Sequence, residues 1–253
     1  MKISICGKGG SGKSVLTALL ANQAVSRGLG VLVVDSDESN SGLFKILGFE
    51  NPPVPLMELL GGKKKVKEKM RQPNILVETH LSTKDIPSPH LISRNGLMLV
   101  SIGKILQALE GCACPMGVLS REFLKKLRLG DNEIAIIDME AGVEHFGRGI
   151  DENIDRILLV VEPSFESLKV AEKVKGIAVG MKKRVSAVLN KVDTEKTAHK
   201  LESELRAKNI EIIGTIPNDP LVFETCLEGS AIGVGKAFDS AGKVLDELLR
   251  TEA

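Results

Sequence analysis

The segment that most constrains this chain lies at its first turn. The run Lys2-Ile3-Ser4-Ile5-Cys6 leads into Gly7-Lys8-Gly9-Gly10-Ser11-Gly12-Lys13-Ser14, and Leu16, Leu20 and Ala24 follow at the spacing of a buried helix face. Strand, glycine turn and helix, in that order, is the setting in which G-x-x-x-x-G-K-[ST] reads as a phosphate-binding loop. Gly7, Gly12, Lys13 and Ser14 fill the defined positions, with Gly9, Gly10, Ser11 and Val15 completing the expected cradle. Glycines let the backbone wrap phosphate oxygens, and N–H groups at the helix N-terminus point at them. Lys13 is expected on the β- and γ-phosphates and the Ser14 hydroxyl on Mg²⁺.

The rest of the chain continues the alternation. Apolar runs at 2–6, 30–35, 75–79, 97–101, 134–138, 157–161, 184–189 and 211–214 read as strands. Helical patterns lie near 13–28, 55–70, 117–129, 165–180, 195–208, 219–228 and 238–250. Continuous apolar strands such as Ile134-Ala135-Ile136-Ile137 suit a sheet covered on both faces. Repeated βα units imply right-handed crossovers and a doubly wound, mostly parallel α/β sheet. No linker or repeat divides residues 1–253, so one P-loop domain is expected; 80–96 reads as a loop or insertion.

Hydrophobic content of 43% and charged content of 26% suit a soluble globular protein, and a net charge of +1 gives no general pull toward nucleic acid. The start runs straight into the glycine loop, unlike a signal or transit peptide. No apolar run nears the ~18 residues of a membrane span. A cytoplasmic protein with four reduced cysteines is the expectation.

Acids gather at strand ends. Val31-Leu32-Val33-Val34 ends in Asp35-Ser36-Asp37, and the 134–137 run ends in Asp138. The carboxyl edge of an open α/β sheet is where ligands bind. Asp138 is placed to hold Mg²⁺ through water.

Lys8 gives the loop the form G-K-G-G-x-G-K-[ST], which resembles the deviant Walker A motif of the MinD/ParA/nitrogenase-iron-protein class. The resemblance implies a homodimer with nucleotides sandwiched between subunits and the lysine matching Lys8 reaching the partner's phosphates, where a cation supplied in trans stabilises transition-state charge. It further implies that Asp37 orients the attacking water while Asp35 supports it or the metal. Asp138-Met139-Glu140-Ala141-Gly142 resembles the second switch, D-x-x-A-G, with the Gly142 N–H near the γ-phosphate. Asn190-Lys191-Val192-Asp193 also fits the guanine-reading N-K-x-D of GTPases. The deviant family, however, places Asn-Lys after this strand to read adenine, together with a segment like Ile216-Pro217-Asn218. ATP and ADP are therefore favoured over GTP.

Gly111-Cys112-Ala113-Cys114-Pro115-Met116-Gly117 places two thiols in a tight turn, with Pro115 suited to begin a helix whose N-terminus favours thiolate. Two ligands do not close a thiolate site, whereas a two-fold dimer with the segment on its axis supplies four. Cys6 and Cys226 read as buried apolar thiols. With this C-x-C and Asp138-Met139-x-Ala141-Gly142-x-Glu144-His145, the chain resembles the CooC family of nickel-insertion ATPases along nearly its whole length. The family departures are Ser11 and Ser14, where Val and Thr are common, and Glu140 for a small residue. The resemblance implies Ni²⁺ or Zn²⁺ held between subunits and delivered to apo carbon monoxide dehydrogenase or acetyl-CoA synthase. Thiolate geometry alone does not choose between the metals.

Two other classes stay in view. An iron–sulfur electron-transfer ATPase also uses two cysteines per subunit, though spaced far apart. A MinD- or ParA-like positioning ATPase needs a membrane or DNA surface. For the latter only the basic run 63–71 offers itself, and it reads more simply as a solvated helix face. Val244 to Arg250 is acidic and short for a membrane anchor. His145 reads as a metal, partner or structural histidine, and Glu162-Pro163 as residues at the ligand edge.

Overall fold

The computed structural model describes residues 1–70, 72, 74–104 and 114–250. Eight strands form one sheet: β1 Lys2–Gly7, β2 Gly30–Asp35, β3 Leu91–Arg94, β4 Leu97–Ser101, β5 Glu133–Asp138, β6 Arg156–Val161, β7 Arg184–Val192 and β8 Glu211–Pro217. Their order is β3-β4-β2-β5-β1-β6-β7-β8. All pairings are parallel except β3 with β4. The helices are α1 Lys13–Ser26, α2 Leu43–Ile46, α3 Leu56–Leu59, α4 Gly62–Lys69, α5 Cys114–Lys126, α6 Glu144–Gly147, α7 Phe165–Gly180, α8 Glu195–Ala207, α9 Pro220–Glu228 and α10 Lys236–Arg250.

Side chains alternate across each strand, and both sets are apolar. Val31 and Val33 of β2 join Ile134 and Ile136 of β5 in the core under α1 and α10. Leu32, Val34, Ala135 and Ile137 enter the opposite core with Phe123 of α5, Ala171 of α7 and Leu201 of α8. A parallel sheet buried on both faces needs this double set, which explains the unbroken apolar runs.

The structure departs from the sequence expectations at 55–70, 75–79 and 80–96, and adds the short helices α2 and α6. No strand forms at 75–79. Instead, the backbone N–H groups of Ile75 and Leu76 donate to the Glu122 carboxylate at 2.7 and 2.9 Å, and Lys126 Nζ donates to the Leu76 carbonyl at 2.6 Å. Side chains of α5 thus satisfy polar groups that a neighbouring strand would otherwise have to pair. The 80–96 segment contains β3, joined to β4 by Asn95-Gly96 with both residues at positive φ (49° and 85°). That is the two-residue hairpin turn for which Asn-Gly is suited. The expected 55–70 helix splits at Gly61 and Gly62, with φ of 88° and 83°. In α4 only Val66 is buried, and Lys64, Lys65 and Lys67 are exposed.

Candidate functional site

Asp35 and Asp138 are register partners on β2 and β5, while Ile5 of β1 pairs with Asp138 on its other side. The P-loop leaves β1 beside them, so three adjacent strand ends deliver the loop and both acids to one edge. Gly12, at φ 95°, turns the chain into α1. A Cβ there would collide with the Asn190 amide, so close approach as well as conformation requires glycine.

Ser14 Oγ donates to Asp138 Oδ2 at 2.6 Å and accepts from Asn40 Nδ2 at 2.7 Å. Asp138 is fully buried, and burial lifts its carboxyl to about 7, offset in part by the Ser14 hydrogen bond. Burial also lifts Asp35 to about 6 against the pull of Lys104, whose Nζ lies 2.6 Å from Asp35 Oδ2. The second oxygen of each acid, Asp35 Oδ1 and Asp138 Oδ1, is buried without a hydrogen-bond partner. A hydroxyl and two carboxylates with unsatisfied oxygens form a hard-oxygen donor set that fits Mg²⁺. Asp37 is buried nearby, its Oδ1 accepting from the Ser39 N–H and hydroxyl at 2.9 and 2.7 Å.

The two P-loop lysines point different ways. Lys13 is buried, with Nζ 3.4 Å from the Lys8 carbonyl, inside the loop it is expected to serve. Lys8 lies 2.7 Å from Glu162, which also holds Lys191 at 3.1 Å; these two lysines pull the Glu162 carboxyl down against the effect of its burial. Glu162 thus binds two lysines of its own chain. The Gly142 N–H, expected near a γ-phosphate, donates to the carbonyl of Gly7, the first residue of the P-loop, at 3.1 Å. Gly142 has a φ of 90°, a left-handed conformation that glycine adopts without strain.

Beside the P-loop is a cleft of about 610 Å³ lined by Gly9, Gly10, Lys13, Ser14, Asp37 and Asn40 among others. A second cleft of about 190 Å³ is lined by Asn190, Ile216, Pro217, Asn218 and Phe223. Gly12, Val15, Lys191 and Cys226 border both, so the two form one groove. Asn190 Nδ2 donates to the Ser11 carbonyl at 2.8 Å and Lys191 Nζ to the Gly10 carbonyl at 2.5 Å, tying this strand end to the P-loop. Cys226, expected to be buried, is exposed on α9, because that helix buries none of its residues.

Cys114 is exposed as the first residue of α5, and Cys112 lies outside the described residues. Cys6 and Cys226 are free, whereas Cys114 is disulfide-bonded, contrary to the expectation of four reduced thiols. Among the described residues no group of three or more His, Cys, Asp or Glu is arranged to hold a metal ion. His145 is fully buried with Nδ1 2.7 Å from Asp151 Oδ2, and its Nε2 is buried without a hydrogen-bond partner.

Three participants were not evident from the sequence. Asn40 bridges Ser14 and Asp138, Lys104 grips the 35–40 loop, and Arg148 lies 2.7 Å from Glu140 and 3.9 Å from Glu38. Lys104 had one available signal: it follows β4 by three residues, at the same sheet edge. Among the described residues no helix is long and apolar enough to cross a membrane.

A family model for the CobQ/CobB/MinD/ParA nucleotide-binding domain matches residues 3–232. An uncharacterized ATP-binding protein of Methanocaldococcus jannaschii is 43% identical over 237 residues, covering 92% of this chain and 94% of its own. The carbon monoxide dehydrogenase accessory protein CooC of Rhodospirillum rubrum is 30% identical over 230 residues, covering 88% and 85%. Among solved structures, the septum site-determining protein MinD complexed with Mg-ADP from Pyrococcus horikoshii superimposes with a TM-score of 0.74. It covers 100% of this chain and 97% of its own at 18% identity, which is a likeness of fold. With the P-loop, the strand-end acids and the doubly wound sheet in place, this chain belongs to the CobQ/CobB/MinD/ParA nucleotide-binding family and is an ATPase of that family.

Proposed function

We propose that this ATPase dimerises around ATP and handles nickel for the maturation of carbon monoxide dehydrogenase or acetyl-CoA synthase. The observation that carries the reading is 30% identity to the CooC accessory protein over 88% of the chain, together with the Cys112/Cys114 pair. Cys112 and Cys114 from two subunits supply the four sulfurs that a closed site for Ni²⁺ or Zn²⁺ needs, once the thiols are reduced.

The chemistry is phosphoryl transfer to water. Gly9, Gly10, Ser11, Gly12 and Val15 present the loop and α1 N-terminus to the phosphates, with Lys13 on the β/γ-phosphates. Asp37 orients the attacking water, and Lys8 leaves Glu162 to serve the partner's nucleotide. Ser14, Asp138 and Asp35 are the residues that would hold Mg²⁺, which neutralises phosphate charge when bound. Asn190, Ile216, Pro217 and Asn218 take the base, with Lys191 and the Gly142 N–H at the phosphate side. Adenine is favoured over guanine because Asp193, the acid a guanine reader requires, is exposed and does not line the groove.

A membrane-positioning role has less support. α10 packs Ala237, Ala241, Val244, Leu245 and Leu248 into the core and so does not offer that face to a bilayer. The decisive experiment is metal content per dimer under reducing conditions, with and without ATP. One nickel or zinc per dimer, lost in Cys112→Ser or Cys114→Ser while ADP still binds, is expected. X-ray absorption of the zinc form should show sulfur near ~2.3 Å. A brown, oxygen-sensitive protein would instead indicate an iron–sulfur ATPase, and a double cysteine variant that keeps its metal would remove the shared site.

A further inference from the structure

Lys104 lies beyond the end of β4, outside the P-loop and both switch motifs, yet its ammonium is built into the active site. Nζ is 2.6 Å from Asp35 Oδ2 and 2.5 Å from the Asp37 carbonyl, and it also donates to the Asn40 carbonyl. An ammonium carries three N–H donors and no acceptor, so all three are engaged within one six-residue loop, 35–40. The side chain is only 14% exposed and that of Asp35 8%, which shields these contacts from water.

The three acceptors bracket the catalytic part of the loop. Asp35 anchors its start at the strand end, Asn40 its far side, and the Asp37 carbonyl lies between them. The Asp37 carboxylate is fixed separately, by the Ser39 N–H and hydroxyl. Asn40 in turn contacts Ser14 and Asp138. Lys104 therefore holds the backbone from which Asp37 projects and the residue that bridges the candidate magnesium ligands. Without it, two carbonyls and a buried carboxylate lose their shared donor and the loop is free to shift.

We propose that Lys104 is a positioning residue for ATP hydrolysis: it sets the 35–40 backbone so that Asp37 meets the attacking water. The proposal rests on Asp37 as the water-orienting residue. Placement errors of about 1 Å cost up to ~10²-fold in rate when binding is unaffected, so the loss should fall on kcat.

The test compares Lys104→Met, Lys104→Arg and Asp37→Ala in steady-state ATPase assays, with ADP affinity and thermal melting measured on the same samples. Lys104→Met should lower kcat by about 10- to 100-fold, with KM for ATP and ADP affinity within about twofold of wild type. Lys104→Arg should recover part of the rate, because it keeps the charge but its planar fork cannot meet the same three acceptors. A Lys104→Met enzyme with wild-type kcat overturns the proposal. So does one that loses ADP binding in step with rate, which would make Lys104 a binding or folding residue. Asp37→Ala separates the two ideas. If it hydrolyses ATP normally, Asp37 is not the water-positioning residue; if its rate collapses while Lys104→Met is unaffected, Lys104 alone is misassigned.

Discussion

Ser14 and Asp138 are 124 positions apart in the chain and joined by a 2.6 Å hydrogen bond, with Asn40 bridging both. The contact unites the start of α1 with the end of β5. It also places a hydroxyl on the carboxylate that burial most strongly keeps protonated.

That burial has a pH signature. Asp138 is lifted to about 7 and Asp35 to about 6, both by desolvation first. With folded values above the unfolded ones (~3.9), the folded protein binds more protons between about pH 4 and 7. These two groups therefore make the nucleotide-free protein less stable as pH rises through that window. Metal binding requires the ionised forms, so Mg-nucleotide should release protons on binding near pH 6, and its affinity should fall below about pH 7. Calorimetry in buffers of different ionisation enthalpy reads the release directly. Asp138→Asn should lose its share, and proton-neutral binding at pH 6 would contradict the assignment.

Gly12→Ala meets two obstacles. The φ of 95° disfavours any Cβ by about 1–2 kcal/mol, and the new atom strikes the Asn190 amide that holds the Ser11 carbonyl. Melting temperature should fall and ADP affinity should drop by about tenfold or more, the equivalent of ~1.4 kcal/mol. Unchanged ADP titrations would mean that Asn190 can retreat freely.

Lys8 is held in cis by Glu162 and must leave it to act in trans. Lys8→Ala should still bind ADP but fail in hydrolysis and ATP-driven dimerisation. Mixed with Asp37→Ala it should recover part of the activity, because both defects then fall in one active site of the heterodimer and the other site is intact. Glu162→Gln should favour ATP-driven dimerisation, read by analytical ultracentrifugation. A verified heterodimer without recovery would assign Lys8 to its own subunit's nucleotide.

Arg148 lies against two acids from neighbouring switches, Glu38 and Glu140, which are also in hydrogen-bond contact with each other. Burial and the Glu38 charge already raise the Glu140 carboxyl. Arg148→Ala should raise it further, so the loss of stability should grow as pH rises and the carboxylates repel. The melting difference from wild type should be larger at pH 8 than at pH 5. An equal loss at both pH values would mean that Arg148 acts only through packing, since its side chain also covers Gly117 of α5.

Much of this protein is determined locally and is legible in its sequence. The P-loop is one such case, because glycines at positive φ and a lysine at the helix start are short-range requirements. The double set of apolar residues in each strand and the acids closing β2 and β5 follow from the same periodicity. The Asn95-Gly96 turn was equally legible, and β3 could have been read from it. Tertiary structure decided what depends on distant partners. Residues 75–79 have strand-like composition, but Glu122 and Lys126, nearly fifty positions away, take their backbone groups. Cys226 is exposed because α9 stays outside the core, and the Gly142 N–H is held by Gly7. Lys104 belongs to the site only because β4 lies beside β2, placing its ammonium within hydrogen-bonding distance of Asp35. Periodicity and turn chemistry report a residue's own backbone, whereas a buried charge takes its partner from whichever strand the topology sets next to it.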